Sequence, residues 1–547
     1  MTHPSLVIRG AEVRTLNAGV PRAQAVAIRG DRIVAIGDDH EAKDWIGKGT
    51  SVIDAERATV LPGFHDAHIH PVIGALNAMR CDLTHGESVE DYQRLVADYV
   101  ERIPQGWILG GGWALDRFPD ATGLCGLLDK VTGDRPAFLV EYSQHFAWVN
   151  SAALARAGIT RSTPDPPRGR IVRDADGEPT GRLDETAMEL VRSLVPPPTK
   201  NELKNALLVV QPQLFAAGIT RWHDAVVGYD PHDLPMLDAY LDAAFEGTLR
   251  ATVSLALRWD RNRGLEQIDD LVKARDTARV HPLIRVGTVK IFQDGVCESR
   301  TAALSDPYLA HHPGAEPDHG ISMLVPDALA EAVTRLDANG FQVHVHAIGD
   351  RAITEALDAI EAAREVNGPR DARHQIAHVT LLRSADIARF GRLGAIVNAQ
   401  PRWAHRAPTG EDPLVVLVGE ERARWQYLFR SLREAGAPMA VGSDWPVTTF
   451  DPFEIVHVGV NRAEPGEMAP PLDQAQRLGL DEMLWDYCYG SAFANFAEND
   501  VGTIEVGKVA DLVVLDRDLH AVPASDIAEV SVRATVVRGE VVHRAGC

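Results

Sequence analysis

A chain of 547 residues exceeds one ordinary compact domain, and its 45% hydrophobic and 24% charged residues are the composition of a folded protein with a sizeable core. The formal net charge of -22 argues against nucleic acid or an anionic membrane as partner, since both repel such a surface at long range, and leaves a small neutral or cationic substrate admissible. Five scattered cysteines without a CxxC pair suggest neither a disulfide framework nor a thiolate zinc site, and they suit a reducing cytosol. With no charged leader followed by an apolar run and no membrane-length apolar stretch, the expectation is a soluble, cytoplasmic protein.

The N-terminus opens with short Val/Ile-rich runs, SLVIRGAEVRTL, AQAVAIRGDRIVAIG and TSVIDAERATVLPG, broken by Gly-Asp, Gly-Ala and Ala-Glu turn signals. The C-terminus repeats the texture in VGTIEVGKVADLVVLDRD and SVRATVVRGEVVHRAG. Neither end carries enough apolar surface to fold alone. Residues 1–60 and 499–547 are therefore expected to pair into one small β-sandwich, leaving 61–498 as a second domain.

That middle alternates strand-like and helix-like segments, the pattern of a parallel α/β fold. A long insertion, roughly residues 80 to 205, follows the first strand; it holds an amphipathic helix in SVEDYQRLVADYVERI and a hairpin around Ala175–Gly177. Then ITRWHDA, RATVSLALR, IRVGTVKIFQDG, FQVHVHAIGD, RHQIAHV, AIVNAQP and MAVGSDWPV read as buried strands. With LPGFHDAHIHP they make eight, the number that closes a (β/α)8 barrel of TIM type.

On these strands apolar residues come first and polar ones last. His68 and His70, two apart on a strand, project from the same face. Lys290, His344, His346, His378 and Asp444 stand near the ends of the fourth, fifth, sixth and eighth strands. In a barrel those ends converge on one mouth, where imidazoles and a carboxylate form the donor set of a catalytic zinc or similar divalent ion.

The motifs LPGFHDAHIHP, TVKIFQDG followed by SRTAAL, VHVHAIGDRAI, QIAHV, VGSDWPV and GTIEVGKVADLVVLD resemble the amidohydrolase superfamily, in the branch of large enzymes that includes N-substituted formamide deformylases. The resemblance spans essentially the whole chain. It implies the barrel, the split sandwich, a homodimer and a hydrolytic site of one or two metal ions. His68 and His70 would bind the more buried ion, His346 and His378 the second, and Lys290, carbamylated by carbon dioxide, would bridge them. Asp444 would touch the first ion and shuttle protons.

Other readings of these residues compete. His344 could be a hydrogen-bonded core residue, Lys290 an ion-pair partner of Asp294 or Glu298, and Asp444 a helix cap. Asp66 could orient an imidazole, with His65 alternating to the other face. His223 and Asp224 could line the mouth or form a turn. Trp113, His145, Phe146 and Trp148 read as an aromatic pocket wall supplied by the insertion, or as its own core, and Arg300 as a carboxylate binder or a loop anchor.

The function expected is metal-assisted hydrolysis of a non-peptide carbon–nitrogen bond, amide or N-formyl, in a small molecule. A deaminase or cyclic amide or amidine hydrolase on the same scaffold is the alternative, and a non-catalytic binding protein the more distant one.

Overall fold

Eight parallel strands follow one another around a single sheet in chain order: Phe64–Ile69, Ile219–Val227, Thr252–Arg258, Ile284–Phe292, Gln342–Ala347, Gln375–His378, Ile396–Ala399 and Met439–Val441. They come from a computed structural model that describes residues 3–546 apart from 104, 119–123, 229–234, 311–315, 407–411 and 467–469. These are the eight runs expected from sequence. The first and last strands meet through the Asp444 amide on the His68 carbonyl, 2.7 Å, and the His70 amide on the Trp445 carbonyl, 2.8 Å. Closure needs glycine at 442, where a Cβ would lie 2.5 Å from Cβ of His68 and 2.6 Å from its backbone nitrogen.

Alternation sorts each strand into two faces. Val253, Leu255 and Leu257, like Val343 and Val345, join the apolar layer beneath the surrounding helices. The inward positions are polar. An amide ladder climbs one side: Gln375 donates to Gln342 (3.1 Å), Asn398 to Gln375 (2.8 Å), Gln400 to Asn398 (2.9 Å), and Gln400 accepts the His378 amide (3.0 Å). Every member is buried, so each bond satisfies a group that would otherwise be stranded away from water.

The insertion builds a six-stranded sheet from Cys81–Asp82 to Pro179–Glu185, with the predicted hairpin at its edge and the predicted helix at Val89–Arg102, capped by Ser88. Its core of Tyr92, Trp113, Phe118, Leu128, Leu139 and Trp148 is continuous with Val296, Leu304, Ile348 and Leu381, residues just beyond the fourth, fifth and sixth barrel strands. That contact seats the insertion on the C-terminal end of the barrel. The helix Lys200–Ala216 instead packs against barrel helices, so the insertion stops short of residue 205.

The chain ends form two further sheets. One is wholly N-terminal, made of Leu6–Arg9, Ala25–Arg29, Arg32–Gly37 and Ser51–Asp54; the other combines Glu12–Arg14, Arg22–Ala23 and Thr59–Pro62 with Leu512–Leu515, Val532–Val537 and Glu540–Arg544. Ile8, Val26, Ile28, Val60, Leu512, Val514 and Val536 pack between them. Of the predicted run from Val501 to Asp518, only Leu512–Leu515 is strand. No helix among the described residues is long and apolar enough to cross a membrane.

A buried ion pair ties these end sheets to the barrel: Arg221 Nε lies 2.8 Å from Asp511 Oδ2, and Asp511 also accepts the Arg538 amide. Removing one charge strands the other in a low-dielectric site, whereas removing both does not. Arg221→Leu is expected to destabilise the protein by about 3–5 kcal/mol, and Arg221→Leu/Asp511→Leu to recover most of that loss. Equal thermal midpoints for Arg221→Leu and the wild type would show that the pair does not hold the sheets together.

Candidate metal centre

The barrel mouth gathers side chains that lie hundreds of residues apart in sequence. Asp444 Oδ1 is 3.1 Å from His70 Nε2 and 3.3 Å from His68 Nε2, and Lys290 Nζ is 3.3 Å from the same His68 nitrogen. His378 Nδ1 approaches Asp444 Oδ2 at 3.9 Å. The His346 and His378 rings are 4.4 Å apart, and the His68 and His378 rings 5.0 Å. All six predicted ligand residues therefore share one buried cluster. Within it His68, His70 and Asp444 each offer one donor atom, all within 4.8 Å of one another.

Backbone geometry sets these side chains. Both Asp444 and His378 have positive φ, +58° and +77°, a conformation that costs a non-glycine residue energy and that occurs where geometry is constrained for function. Asp66 accepts the amides of His68 (3.1 Å) and Ser443 (3.1 Å), so it braces the backbone of the first and last strands and does not orient an imidazole. Asp444 caps no helix; the next one starts at Pro452 and is capped by Asp451. Lys290 pairs with neither expected carboxylate: Asp294 accepts the amides of Ala303, Ile348 and Gly349, and Glu298 forms no ion pair among the described residues.

Burial dominates the electrostatics. It pushes His68, His346 and His378 well below the usual histidine range, leaving neutral rings with lone pairs available, and it brings Lys290 down to about 7. Burial opposes ionisation of Asp444 too, but the His70 hydrogen bond and the electrostatic pull of His378, His70 and Lys290 outweigh it and hold the carboxyl below its ordinary range. A single carboxylate thus faces imidazole nitrogens at short range, with Nδ1 of His70 and of His378 bonded to no protein atom among the described residues. Imidazoles and a carboxylate converging in this way are the donors of a divalent cation, and the residues fit one.

The predicted substrate-binding residues fare differently. His145 stands at the site, its ring 5.6 Å from that of His346. Its Nδ1 lies 2.9 Å from Glu185 Oε1, and Thr301 Oγ1 donates to the same oxygen at 2.8 Å. Burial disfavours the charged imidazole, yet the Glu185 charge and hydrogen bond prevail and raise its pKa. Trp113 and Trp148 are not on the pocket wall. Both are fully buried in the insertion core, with indole N–H groups bonded to the Leu139 and Leu124 carbonyls. Arg300 anchors a loop, donating to Asp318 (3.0 Å) and to the Leu309 carbonyl (2.9 Å). His223 lies inside the barrel below the mouth cluster, its ring 5.3 Å from that of His344.

The aromatic wall comes from the barrel instead. Trp403 stacks on His378 at 5.1 Å with planes 7° apart, and Phe292 lies 5.5 Å from His346. Both are half-buried, and both sit at or just past a barrel strand end, the one signal that could have found them. Nothing in sequence singled out Glu185, which reaches the site through the fold of the insertion.

The amidohydrolase family profile matches residues 51–543. The protein LONG AFTER FAR-RED 3 of Arabidopsis thaliana is 30% identical over 98% of this chain and 91% of its own length, and the N-substituted formamide deformylase of Arthrobacter pascens 28% identical over 98% and 97%. The crystal structure of an uncharacterized metal-dependent hydrolase from Pyrococcus furiosus superposes with a TM-score of 0.71 at 26% identity, covering 94% of this chain and 99% of that one. Eight strands in order, a buried His–His–Asp cluster at their C-terminal ends and a family match over nearly the whole length lead to one conclusion: the chain belongs to the amidohydrolase family and is a metal-dependent hydrolase.

Proposed function

We propose that the protein hydrolyses the carbon–nitrogen bond of a small N-formyl or N-acyl amine bearing an apolar or aromatic substituent. The observation that carries this reading is the convergence of His68, His70, Asp444 and Lys290 within 3.3 Å contacts inside a water-poor mouth. The similarity to a deformylase of N-substituted formamides supports the bond class, and the half-buried faces of Trp403 and Phe292 support the apolar substituent.

His68, His70 and Asp444 would hold one divalent ion, zinc by its taste for nitrogen and carboxylate donors; His346, His378 and Lys290 would hold a second. Such an ion supplies Lewis acidity and lowers the pKa of water from 15.7 toward about 7. Lys290, with its pKa brought down by burial to about 7, is partly a free amine at neutral pH. The free amine is the form that would add to carbon dioxide, releasing a proton and leaving a carbamate, whose oxygens would suit a cationic site better than an ammonium does.

Asp444 is the ionised carboxylate nearest the site's centre, and it has two chemical tasks. As a base it takes a proton from the attacking water; as an acid it returns that proton to the nitrogen when the C–N bond breaks, so that a neutral amine departs. His145, fixed by Glu185 and Thr301, contacts the polar end of the substrate beside His346.

The test is a screen of zinc-loaded enzyme against N-formyl and N-acyl benzylamines, cyclic amides and amidines, reading amine, carboxylate and ammonia. Formate or carboxylate with an amine is expected; ammonia from an amidine would move the protein to the deaminase reading. Asp444→Asn should retain fold and most metal while kcat falls by about 10²–10⁴. Near-normal turnover would remove Asp444 from proton transfer. Lys290→Ala is expected to lose about one of two metal equivalents and to recover part of its activity in added propionate; unchanged occupancy by elemental analysis would rule out the carbamate bridge.

A further inference from the structure

One histidine of the cluster has no place in the scheme above. His344 is fully buried on the inward face of the fifth barrel strand, in register with Lys290 on one side and Gln375 on the other. Its Nε2 lies 2.9 Å from Nδ1 of His68, and this is the side chain's one hydrogen bond to a protein atom among the described residues, its own Nδ1 being bonded to none. A histidine kept as structural packing ordinarily bonds to backbone or carboxylate. This one is committed to the far side of an imidazole that faces the metal cluster.

The two nitrogens of His68 therefore have different surroundings. Nε2 points at Lys290 and Asp444, each at 3.3 Å, and must present a lone pair there if the ring is to bind a cation. The ring proton then sits on Nδ1 and is donated to Nε2 of His344, which in turn carries its own proton on Nδ1. The hydrogen bond on the remote nitrogen decides both which tautomer a metal-binding histidine adopts and how its ring is turned. Carboxylates and carbonyls are the usual acceptors for that purpose. Among the described residues Nδ1 of His68 has no such acceptor: its hydrogen bond is to His344, and Asp66, two residues earlier, accepts backbone amides.

We propose that His344 is a positioning residue for the metal, an imidazole whose Nε2 accepts the Nδ1 proton of His68 and so fixes the ring and the tautomer through which His68 binds. The inference rests on the metal-dependent reading above and concerns the ion's affinity and geometry, not the identity of the substrate. It also explains why the fifth strand carries histidine at two successive inward positions, 344 and 346: the lower one serves a ligand on the first strand, and the upper one stands in the ligand layer.

The experiment measures zinc affinity by chelator competition and the visible d–d spectrum of the cobalt(II)-loaded protein, for the wild type and for His344→Gln, His344→Asn and His344→Leu. Gln carries an acceptor long enough to reach Nδ1 of His68; Asn is polar but too short, and Leu has no acceptor. Expected are near wild-type affinity and spectrum for His344→Gln, and for the other two a loss of about 10–100-fold in affinity with a changed spectrum. If His344→Leu fails to fold, the contrast between Gln and Asn decides. Equal affinity and an unchanged spectrum in His344→Asn or His344→Leu would overturn the proposal. So would an affinity loss shared by all three that tracks their thermal midpoints while the cobalt spectrum stays constant. A wild-type protein that binds neither zinc nor cobalt would instead overturn the metal-dependent reading itself, and the two failures are thereby told apart.

Discussion

Everything at the barrel mouth depends on one ionised carboxylate, Asp444, held among basic side chains that burial has stripped of water. Its oxygens face His70 at 3.1 Å, His68 at 3.3 Å and His378 at 3.9 Å, with Lys290 immediately behind. Burial opposes its ionisation, and the hydrogen bond from His70 together with the electrostatic pull of the surrounding basic groups outweighs that cost. Two backbones in the left-handed region, at His378 and Asp444, set where those side chains point. The frame that does the holding is the seam of the barrel. The amide of Asp444 bonds to the carbonyl of His68, the amide of His70 to that of Trp445, and Asp66 takes the amides of both strands at once.

Below the seam the barrel interior is divided. One side is a chain of primary amides, Gln342, Gln375, Asn398 and Gln400, in which each donor finds an acceptor and the last acceptor takes the amide of His378. The other side is imidazole: His65, His223 and His344 beneath His68. Barrel interiors are ordinarily filled by branched apolar side chains in layers. Replacing them with directional groups makes the register of every strand a matter of hydrogen-bond geometry, since a slip by one residue would turn the amides outward and break the ladder. The interior is thereby built to position the side chains at the barrel mouth more than to maximise apolar burial.

How much of this was legible in sequence follows from the same alternation. Parity along a strand is a local property, so the eight strands, the shared face of His68 and His70, and the convergence of Lys290, His346, His378 and Asp444 could be read from the residues directly. Asp66 could be read only halfway: its closeness to the HxH pair was visible, but its partners, the amides of residues 68 and 443, depend on how the first strand meets the last. His65 shows parity failing. It turns inward with His68 despite its odd offset, because the ladder between the first and second strands shifts register along its length. The insertion was the least legible part. Trp113 and Trp148 look the same in sequence whether they line a mouth or fill a core, and the six-stranded sheet of the insertion needed its own core.

That need has a consequence for how the site is divided. Because the insertion spends its tryptophans on its own stability, the aromatic surface at the mouth is left to Phe292 and Trp403, which issue from the barrel and pack directly on the rings of His346 and His378. What the insertion sends into the site is polar: His145, with Glu185 behind it and Thr301 joining that carboxylate to the loop after the fourth strand. The glutamate is held there by a backbone at φ +51° and by its own amide on the His145 carbonyl, so the pair is pre-set before any substrate arrives. The apolar and the polar surfaces of the mouth therefore come from different parts of the chain.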